Sequence, residues 1–265
     1  CTRSAVTCLS VVATNPVNAS ASPANILCQG ANLTLNASAG GAIGFQWLGP
    51  NAFSSNNALN NISPVGLNNS GPYSVTALFS NNVITCPMTA VVTVSVIAVN
   101  QPLITMPNSI CQGDALYATA QANGAIGWLW TGPAINPSVA ANYSSISIPA
   151  PVQPTASGVY YVTAKYGLGT YTCASSSSVQ LSVVPVNSIT IIPSPPVCVP
   201  DNAVLVASAI GATGYNWVGP LGWSYPTANA TVWHPTQAAS GIYTVTVYFK
   251  GLNITCSNTN TVQLT

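Results

Sequence analysis

Four landmarks recur in the same order three times along this chain of 265 residues, and they limit its fold more than any local propensity does. Each block opens on a cysteine: Cys28-Gln29-Gly30, Cys111-Gln112-Gly113 and Cys198-Val199-Pro200. A tryptophan follows each by 19 residues, at Trp47, Trp130 and Trp217, and each stands before x-Gly-Pro, ending at Pro50, Pro133 and Pro220. Then come Ser70-Gly71-Pro72-Tyr73, Ser157-Gly158-Val159-Tyr160 and Ser240-Gly241-Ile242-Tyr243. A second cysteine lies 13 residues beyond each tyrosine, at Cys86, Cys173 and Cys256. The N-terminus joins the pattern. Setting Cys1 on Cys86 brings Leu9-Ser10-Val11-Val12 onto Val94-Ser95-Val96-Ile97 and Asn15 onto Asn100 and Asn187, while Thr265 falls on Ser95. The chain therefore reads as residues 1–15, the last strand of an incomplete repeat or a strand for donation, followed by repeats at 16–100, 101–187 and 188–265.

Within each block the residues alternate as half-buried strands do. Tyr73, Val75, Ala77 and Phe79 are separated by Ser74, Thr76 and Leu78, and the pattern returns at Tyr160–Tyr166 and Tyr243–Phe249. Further strands are expected at Asn32–Ala37, Ala115–Ala120, Ala203–Ala209, Val91–Val99 and Val179–Val186. The 20 glycines and 21 prolines punctuate them closely, and no stretch has a helical period. About seven short strands in roughly 85 residues is the arithmetic of an immunoglobulin-like sandwich. The fold class expected is all-β: tandem immunoglobulin-like β-sandwich domains forming an extended rod.

Composition narrows the chemistry. Only five side chains carry formal charge, Arg3, Lys165, Lys250, Asp114 and Asp201, and His234 is the single histidine. Acid–base, metal and phosphate chemistry need more than this, so no enzyme activity and no cofactor are expected. Three cations cannot supply the electrostatic footprint of a nucleic-acid binder. Mean hydropathy is +0.42, yet the most apolar run, Ala90–Val99, is far shorter than the roughly 20 residues of a membrane-spanning helix. Asp114 and Asp201 each follow their block's first cysteine by three residues and read as turn formers rather than a catalytic pair. His234, before Pro235, reads as structural. Lys165 and Lys250 read as guards against edge pairing.

One early and one late cysteine in each block reads as one disulfide per domain: Cys28–Cys86, Cys111–Cys173 and Cys198–Cys256. Such bridges need an oxidising compartment, periplasmic or extracellular. Zinc is the rival reading, without Cys-x-x-Cys pairs to support it. Cys1 and Cys8 are left over, for an upstream segment, a neighbouring molecule or each other; an N-terminal lipid anchor is a competing account of Cys1. Trp47, Trp130 and Trp217 are expected to plug the core against the disulfides, and Tyr73, Tyr160 and Tyr243 to make a corner hydrogen bond. Trp128, Trp223 and Trp233 occur in single blocks and are the candidates for surface contact, including stacking on glycan rings. Eight sequons, at Asn18, Asn32, Asn36, Asn61, Asn68, Asn142, Asn229 and Asn253, are candidate glycosylation sites, only slightly more than chance would give.

The blocks resemble the Ig-like or PKD-like tandem repeats of large secreted surface proteins in gliding and other Bacteroidetes-type bacteria. The resemblance rests on Cys-x-Gly-[Asp]-x-Leu, Trp-x-Gly-Pro, Ser-Gly-x-Tyr-x-Val-Thr and the second cysteine before a Val/Thr-rich last strand, and it covers essentially the whole chain. It implies a stalk or filament role in adhesion or surface motility. The expected function is thus a non-enzymatic, extracellular structural or adhesive protein at the cell surface, a window of a longer repeat protein, whose partners are neighbouring copies or repeats. Two alternatives stand beside it: a pilus-like subunit polymerising by N-terminal strand donation, and a carbohydrate-binding appendage of a secreted enzyme. One departure is visible already. In antibody domains the second cysteine follows the corner tyrosine by two residues, and here by 13.

Overall fold

The computed structural model describes residues 11–135, 143–198 and 200–265. The first block carries β1 (Asn18–Ser22), β2 (Ile26–Cys28), β3 (Leu33–Ser38), β4 (Gly44–Gly49), β5 (Phe53–Ser55), β6 (Leu59–Ile62), β7 (Gly71–Ser80) and β8 (Thr85–Ile97). The second carries β9 (Leu103–Thr105), β10 (Ser109–Cys111), β11 (Leu116–Gln121), β12 (Gly127–Thr131), β13 (Ser145–Ile148), β14 (Gly158–Leu168) and β15 (Tyr171–Val184). The third carries β16 (Thr190–Ile192), β17 (Ala203–Ser208), β18 (Gly214–Val218), β19 (Ser224–Tyr225), β20 (Asn229–Val232), β21 (Gly241–Lys250) and β22 (Thr255–Leu264).

Each block folds as a pair of sheets. The smaller sheets run β1-β3-β6, β13-β11-β9 and β16-β17-β20; the larger run β2-β8-β7-β4-β5, β10-β15-β14-β12 and β19-β18-β21-β22. This is a tandem immunoglobulin-like sandwich architecture, all-β as the alternation requires. The alternation is itself the record of burial: Tyr73, Val75, Ala77 and Phe79 on β7 are buried, as are Tyr243, Val245, Val247 and Phe249 on β21. Between the first block's sheets lie Leu33, Leu35, Trp47, Tyr73, Val75 and Val94. Burying one such side chain fully contributes about 1.5–3 kcal/mol, so these short apolar faces, not ion pairs, hold the blocks.

The long hairpins carry the second cysteine of each block, Cys86 on β8, Cys173 on β15 and Cys256 on β22. β7 pairs with β8 from Gly71↔Val94 to Ser80↔Thr85, so Cys86 opens β8 just past the turn. The sequence reading began this strand at Val91; it begins at Thr85, and the second cysteine stands on it. β2 lies parallel to the far end of β8, with Cys28 beside Ile97. Lys165 and Lys250 sit on β14 and β21, which are interior strands, so they do not guard a sheet edge.

The described residues group into two compact units. One holds the described residues through Gln101 with Asn123–Ile126 and Ala164–Ser175; the other holds Pro102–Ala122, Gly127–Thr163 and Ser176–Thr265. The tip of the second block's long hairpin therefore belongs to the first unit.

Candidate functional site

Two of the sequence motifs lock into each other. The Ser-Gly-x-Tyr tyrosine lies flat over the glycine of Trp-x-Gly-Pro: a Cβ added to Gly49, Gly132 or Gly219 would collide with the ring of Tyr73, Tyr160 or Tyr243. The proline of the second motif in turn covers the glycine of the first. A Cβ on Gly71 would stand 2.8 Å from Pro50 Cγ, and the equivalent distances are 2.6 Å for Gly158 to Pro133 and 2.7 Å for Gly241 to Pro220. These glycines also have φ of +137°, +147° and +153°, which side chains rarely adopt. The two motifs recur together because neither packs without the other.

The same tyrosines close a corner. Each hydroxyl donates to the carbonyl four residues back: Tyr73 to Asn69 at 3.0 Å, Tyr160 to Ala156 at 2.8 Å and Tyr243 to Ala239 at 3.0 Å. Burial raises all three phenols above their ordinary pKa. Trp47, Trp130 and Trp217 are fully buried. Trp217 Nε1 donates to Ala228 O at 3.4 Å, whereas Trp47 Nε1 and Trp130 Nε1 have no partner. The cluster around Trp47 contains no cysteine, so this tryptophan does not plug against a disulfide.

The cysteines pair across blocks, and this corrects the sequence reading. The bridges are Cys28–Cys173, with Cα atoms 5.7 Å apart, and Cys111–Cys256, at 5.6 Å; each spans 145 residues. Cys28–Cys86, Cys111–Cys173 and Cys198–Cys256 do not form. The reason is strand length. Cys28 sits beside Ile97, which is 11 residues along β8 from Cys86, a rise of roughly 36 Å at about 3.3 Å per residue. A disulfide requires Cα atoms within about 7 Å. Cys111 likewise sits beside Val184, at the opposite end of β15 from Cys173. The first two blocks thus carry their first cysteine beside the end of their last strand, and the second and third blocks carry their second cysteine at the hairpin tip that meets the previous block. The first cysteine of one block bonds to the second cysteine of the block after it.

The bridges are backed by packing and hydrogen bonds. At the second bridge, Gly251 approaches so closely that a Cβ would lie 2.5 Å from Val184 Cγ2 and 3.1 Å from Ser109 Oγ. Ile254 packs on the cluster that includes Val184. At the first bridge the hydroxyl of Tyr166 donates to Asn100 O. The asparagines aligned in the linkers share one role, each Nδ2 donating into the turn of the following block: Asn15 to Gly40 O at 2.7 Å, Asn100 to Asn123 O at 2.9 Å and Asn187 to Ile210 O at 2.8 Å.

Cys86 and Cys198 are free thiols, half-buried and exposed respectively. Cys1, Cys8 and Asn142 lie outside the described residues, as do residues 1–10 of the expected N-terminal strand; residues 11–17 form no strand. Asp114 Oδ2 accepts from the amide of Cys111 at 3.2 Å, closing the turn that carries the bridged cysteine. His234 is held by its backbone, donating to Asn202 Oδ1 at 2.9 Å, with its Nδ1 2.7 Å from Pro200 O. Among the described residues no three His, Cys, Asp or Glu side chains converge as a metal site would require.

The single-block tryptophans part company. Trp128 is half-buried against the second block's core. Trp223 packs edge-on against Tyr243, 5.2 Å between centroids, as Phe53 does on Tyr73 at 5.4 Å. Both follow the motif proline by three residues, a regularity visible in the sequence that marks Trp223 as part of the corner. Trp233 is 65% exposed. Asn18, Asn32, Asn36, Asn61, Asn68, Asn229 and Asn253 are exposed, and Asn18, Asn36 and Asn61 share the sheet β1-β3-β6.

No protein-family description matches the chain, and no curated protein matches it. Among solved structures it is similar to an E-to-A variant of a three-immunoglobulin-domain fragment of titin, at 15% identity and a TM-score of 0.45 over 96% of this chain and 99% of that one. It is similar to the three N-terminal domains of the highly immunogenic outer capsid protein of bacteriophage RB49, at 14% identity and a TM-score of 0.43 over 95% and 97%. The eight N-terminal immunoglobulin domains of Down syndrome cell adhesion molecule give 15% identity and a TM-score of 0.45, over 95% of this chain and 42% of that one.

Proposed function

We propose that this chain is a non-enzymatic structural segment of an extracellular, cell-surface stalk or filament, built to transmit tension from one repeat to the next. The observation that carries this reading is the placement of the disulfides. A bridge inside one sandwich would stabilise that sandwich alone. Cys28–Cys173 and Cys111–Cys256 instead join successive blocks, so each adds a covalent path beside the peptide linker. Two disulfides also require an oxidising compartment, which supports an extracellular setting. Among the described residues no helix is long and apolar enough to cross a membrane. The glycan-binding alternative is left with Trp233 as its one strongly exposed tryptophan.

Pulling the molecule by its ends tests the reading directly. With both bridges closed, the shortest covalent path from end to end runs to Cys28, across to Cys173, back to Cys111, across to Cys256 and out, about 100 residues of backbone or roughly 350 Å extended. The reduced chain of 265 residues extends to roughly 900 Å. Single-molecule force extension is expected to show the shorter limit until reductant is added. Equal extensions with and without reductant would refute tension transfer through the bridges.

A further inference from the structure

We propose that Asn123 is a site of spontaneous modification, at which the backbone nitrogen of Gly124 displaces the side-chain amide and converts the asparagine into aspartate and isoaspartate, placing a carboxylate at the joint between the first and second blocks. The chemistry needs only water, and it stands apart from the tension reading above.

The dipeptide is singular. Of the chain's 26 asparagines, Asn123 alone precedes a glycine. Ring closure brings the backbone nitrogen of the next residue onto the asparagine Cγ, and a Cβ on that residue crowds the approach; glycine removes it and frees the backbone to turn. The aligned positions in the other blocks are Gly40-Gly41 and Ile210-Gly211, which have no amide to lose. Only the second block joins an asparagine to the glycine that this turn requires, with φ of +77° at Gly124.

The surroundings leave the reaction open. Asn123 and Gly124 are both exposed, and a Cβ built on Gly124 would meet nothing within 4 Å, so the space that the Asn123 side chain must cross is empty of protein. Among the described residues neither the Asn123 side chain nor the Gly124 amide has a hydrogen-bond partner. Asparagines before the next smallest polar residue are held instead. Asn187, before Ser188, commits its Nδ2 to Ile210 O at 2.8 Å, and the buried Asn69, before Ser70, accepts at Oδ1 from the Gly66 amide at 2.7 Å.

The steps balance without any redox partner. Hydroxide removes the proton of the Gly124 amide, the nitrogen attacks Asn123 Cγ, and the Cγ–Nδ2 bond breaks as Nδ2 leaves as ammonia, protonated by water. The five-membered imide then takes up one water. Opening at Cγ gives aspartate; opening at the former peptide carbonyl gives isoaspartate, with the chain rerouted through Cβ and Cγ.

The product matters because of what the turn supports. Asn123 O accepts from Asn100 Nδ2 at 2.9 Å, and the Ile126 amide donates to Lys165 O at 2.8 Å. Ile126 Cδ1 lies 2.6 Å from where a Cβ on Gly167 would stand. These contacts tie the turn to the hairpin tip that brings Cys173 to Cys28, all within one compact unit. Isoaspartate adds a methylene to the backbone of the turn and makes the carbonyl that Asn100 reaches part of a free carboxylate. In a chain with two carboxylates and a formal net charge of +1, the new one cancels that charge.

The test incubates the purified chain, bridges closed, in neutral and in mildly alkaline buffer and follows the peptide carrying Asn123 by mass spectrometry, with aspartate and isoaspartate separated by chromatography. The expected result is loss of the Asn123 amide, several-fold faster in the alkaline buffer, with isoaspartate in excess and the imide trapped by hydroxylamine, while Asn187 and Asn69 keep their amides. Asn123→Gln reacts at least about tenfold more slowly, since closure depends on the reach and orientation of the reacting groups. In the converted chain the Ile126 amide exchanges with solvent at least about tenfold faster than in an Asn123→Gly chain of the same age, which carries the first block's residue at this place. An Asn123 amide that lasts as long as that of Asn187 would overturn the site. Aspartate alone, with no isoaspartate and no trapped imide, would overturn the route through Gly124, and equal Ile126 exchange in the two aged chains would overturn the effect on the joint. A chain that stays short under force yet keeps its Asn123 amide retains the tension reading and loses this one.

Discussion

At the scale of single residues, the repeated motifs answer to contacts rather than to chemistry. Gly49 is glycine because the Tyr73 ring occupies the space of a side chain, and the same holds for Gly132 and Gly219. Gly49→Ala should cost about 1–3 kcal/mol through overpacking. The measurement is amide protection of β7 along a urea titration, where loss should come at lower urea in the variant. The corner tyrosines also set a pH limit. Burial raises their folded-state pKa above the unfolded value near 10, and the neutral phenol is the form that donates to Asn69, Ala156 and Ala239. Their contribution is fully present below about pH 10 and is lost as pH rises through the folded-state values. Base titration should therefore show tyrosinate absorbance of these residues appearing together with loss of near-UV dichroism. The corner hydrogen bonds of Tyr73, Tyr160 and Tyr243 were expected from the sequence, whereas the packing of each ring on its glycine is seen only in the structure. The role of Trp223 was missed, although its place three residues after the motif proline, matching Phe53, was the signal for it.

The decisive element is the long hairpin, and here the sequence and the structure diverge for a physical reason. One cysteine early and one late in a block suggest an internal bridge only while strands are treated as short. β8 runs for 13 residues from Thr85 to Ile97, and β15 for 14 from Tyr171 to Val184, which carries the two cysteines of one block to opposite ends. The clue was present in the 13-residue interval between tyrosine and cysteine, long enough for most of β7, a turn and the start of β8. What the sequence could not supply is the partner, because that depends on how successive hairpins meet the block before them. The consequence is testable element by element. Cys111→Ser should leave protection of β17 and β18 around Trp217 nearly unchanged and raise hydrogen exchange at the tip of β21 and β22, from Lys250 to Cys256. An equal loss throughout the third block would mean that the bridge holds the sandwich itself.

At the scale of the whole molecule, alternating sheets, buried aromatics and low charge were all legible, since they follow from composition and period alone. Five formal charges in 265 residues leave the blocks to be held by apolar burial, corner hydrogen bonds and disulfides. The overlap of the two bridges has a further consequence, which concerns survival rather than strength. Cys28–Cys173 bypasses every peptide bond between those residues, and Cys111–Cys256 bypasses every one between its own pair. The spans overlap from Cys111 to Cys173, so no single cut between Cys28 and Cys256 parts the molecule. Limited proteolysis should give fragments on a reducing gel while the unreduced sample still migrates near 27.0 kDa. A protease working at an exposed linker would nick such a strand of repeats without severing it, and damage would accumulate unnoticed until a cut had fallen in each of the three intervals 28–111, 111–173 and 173–256.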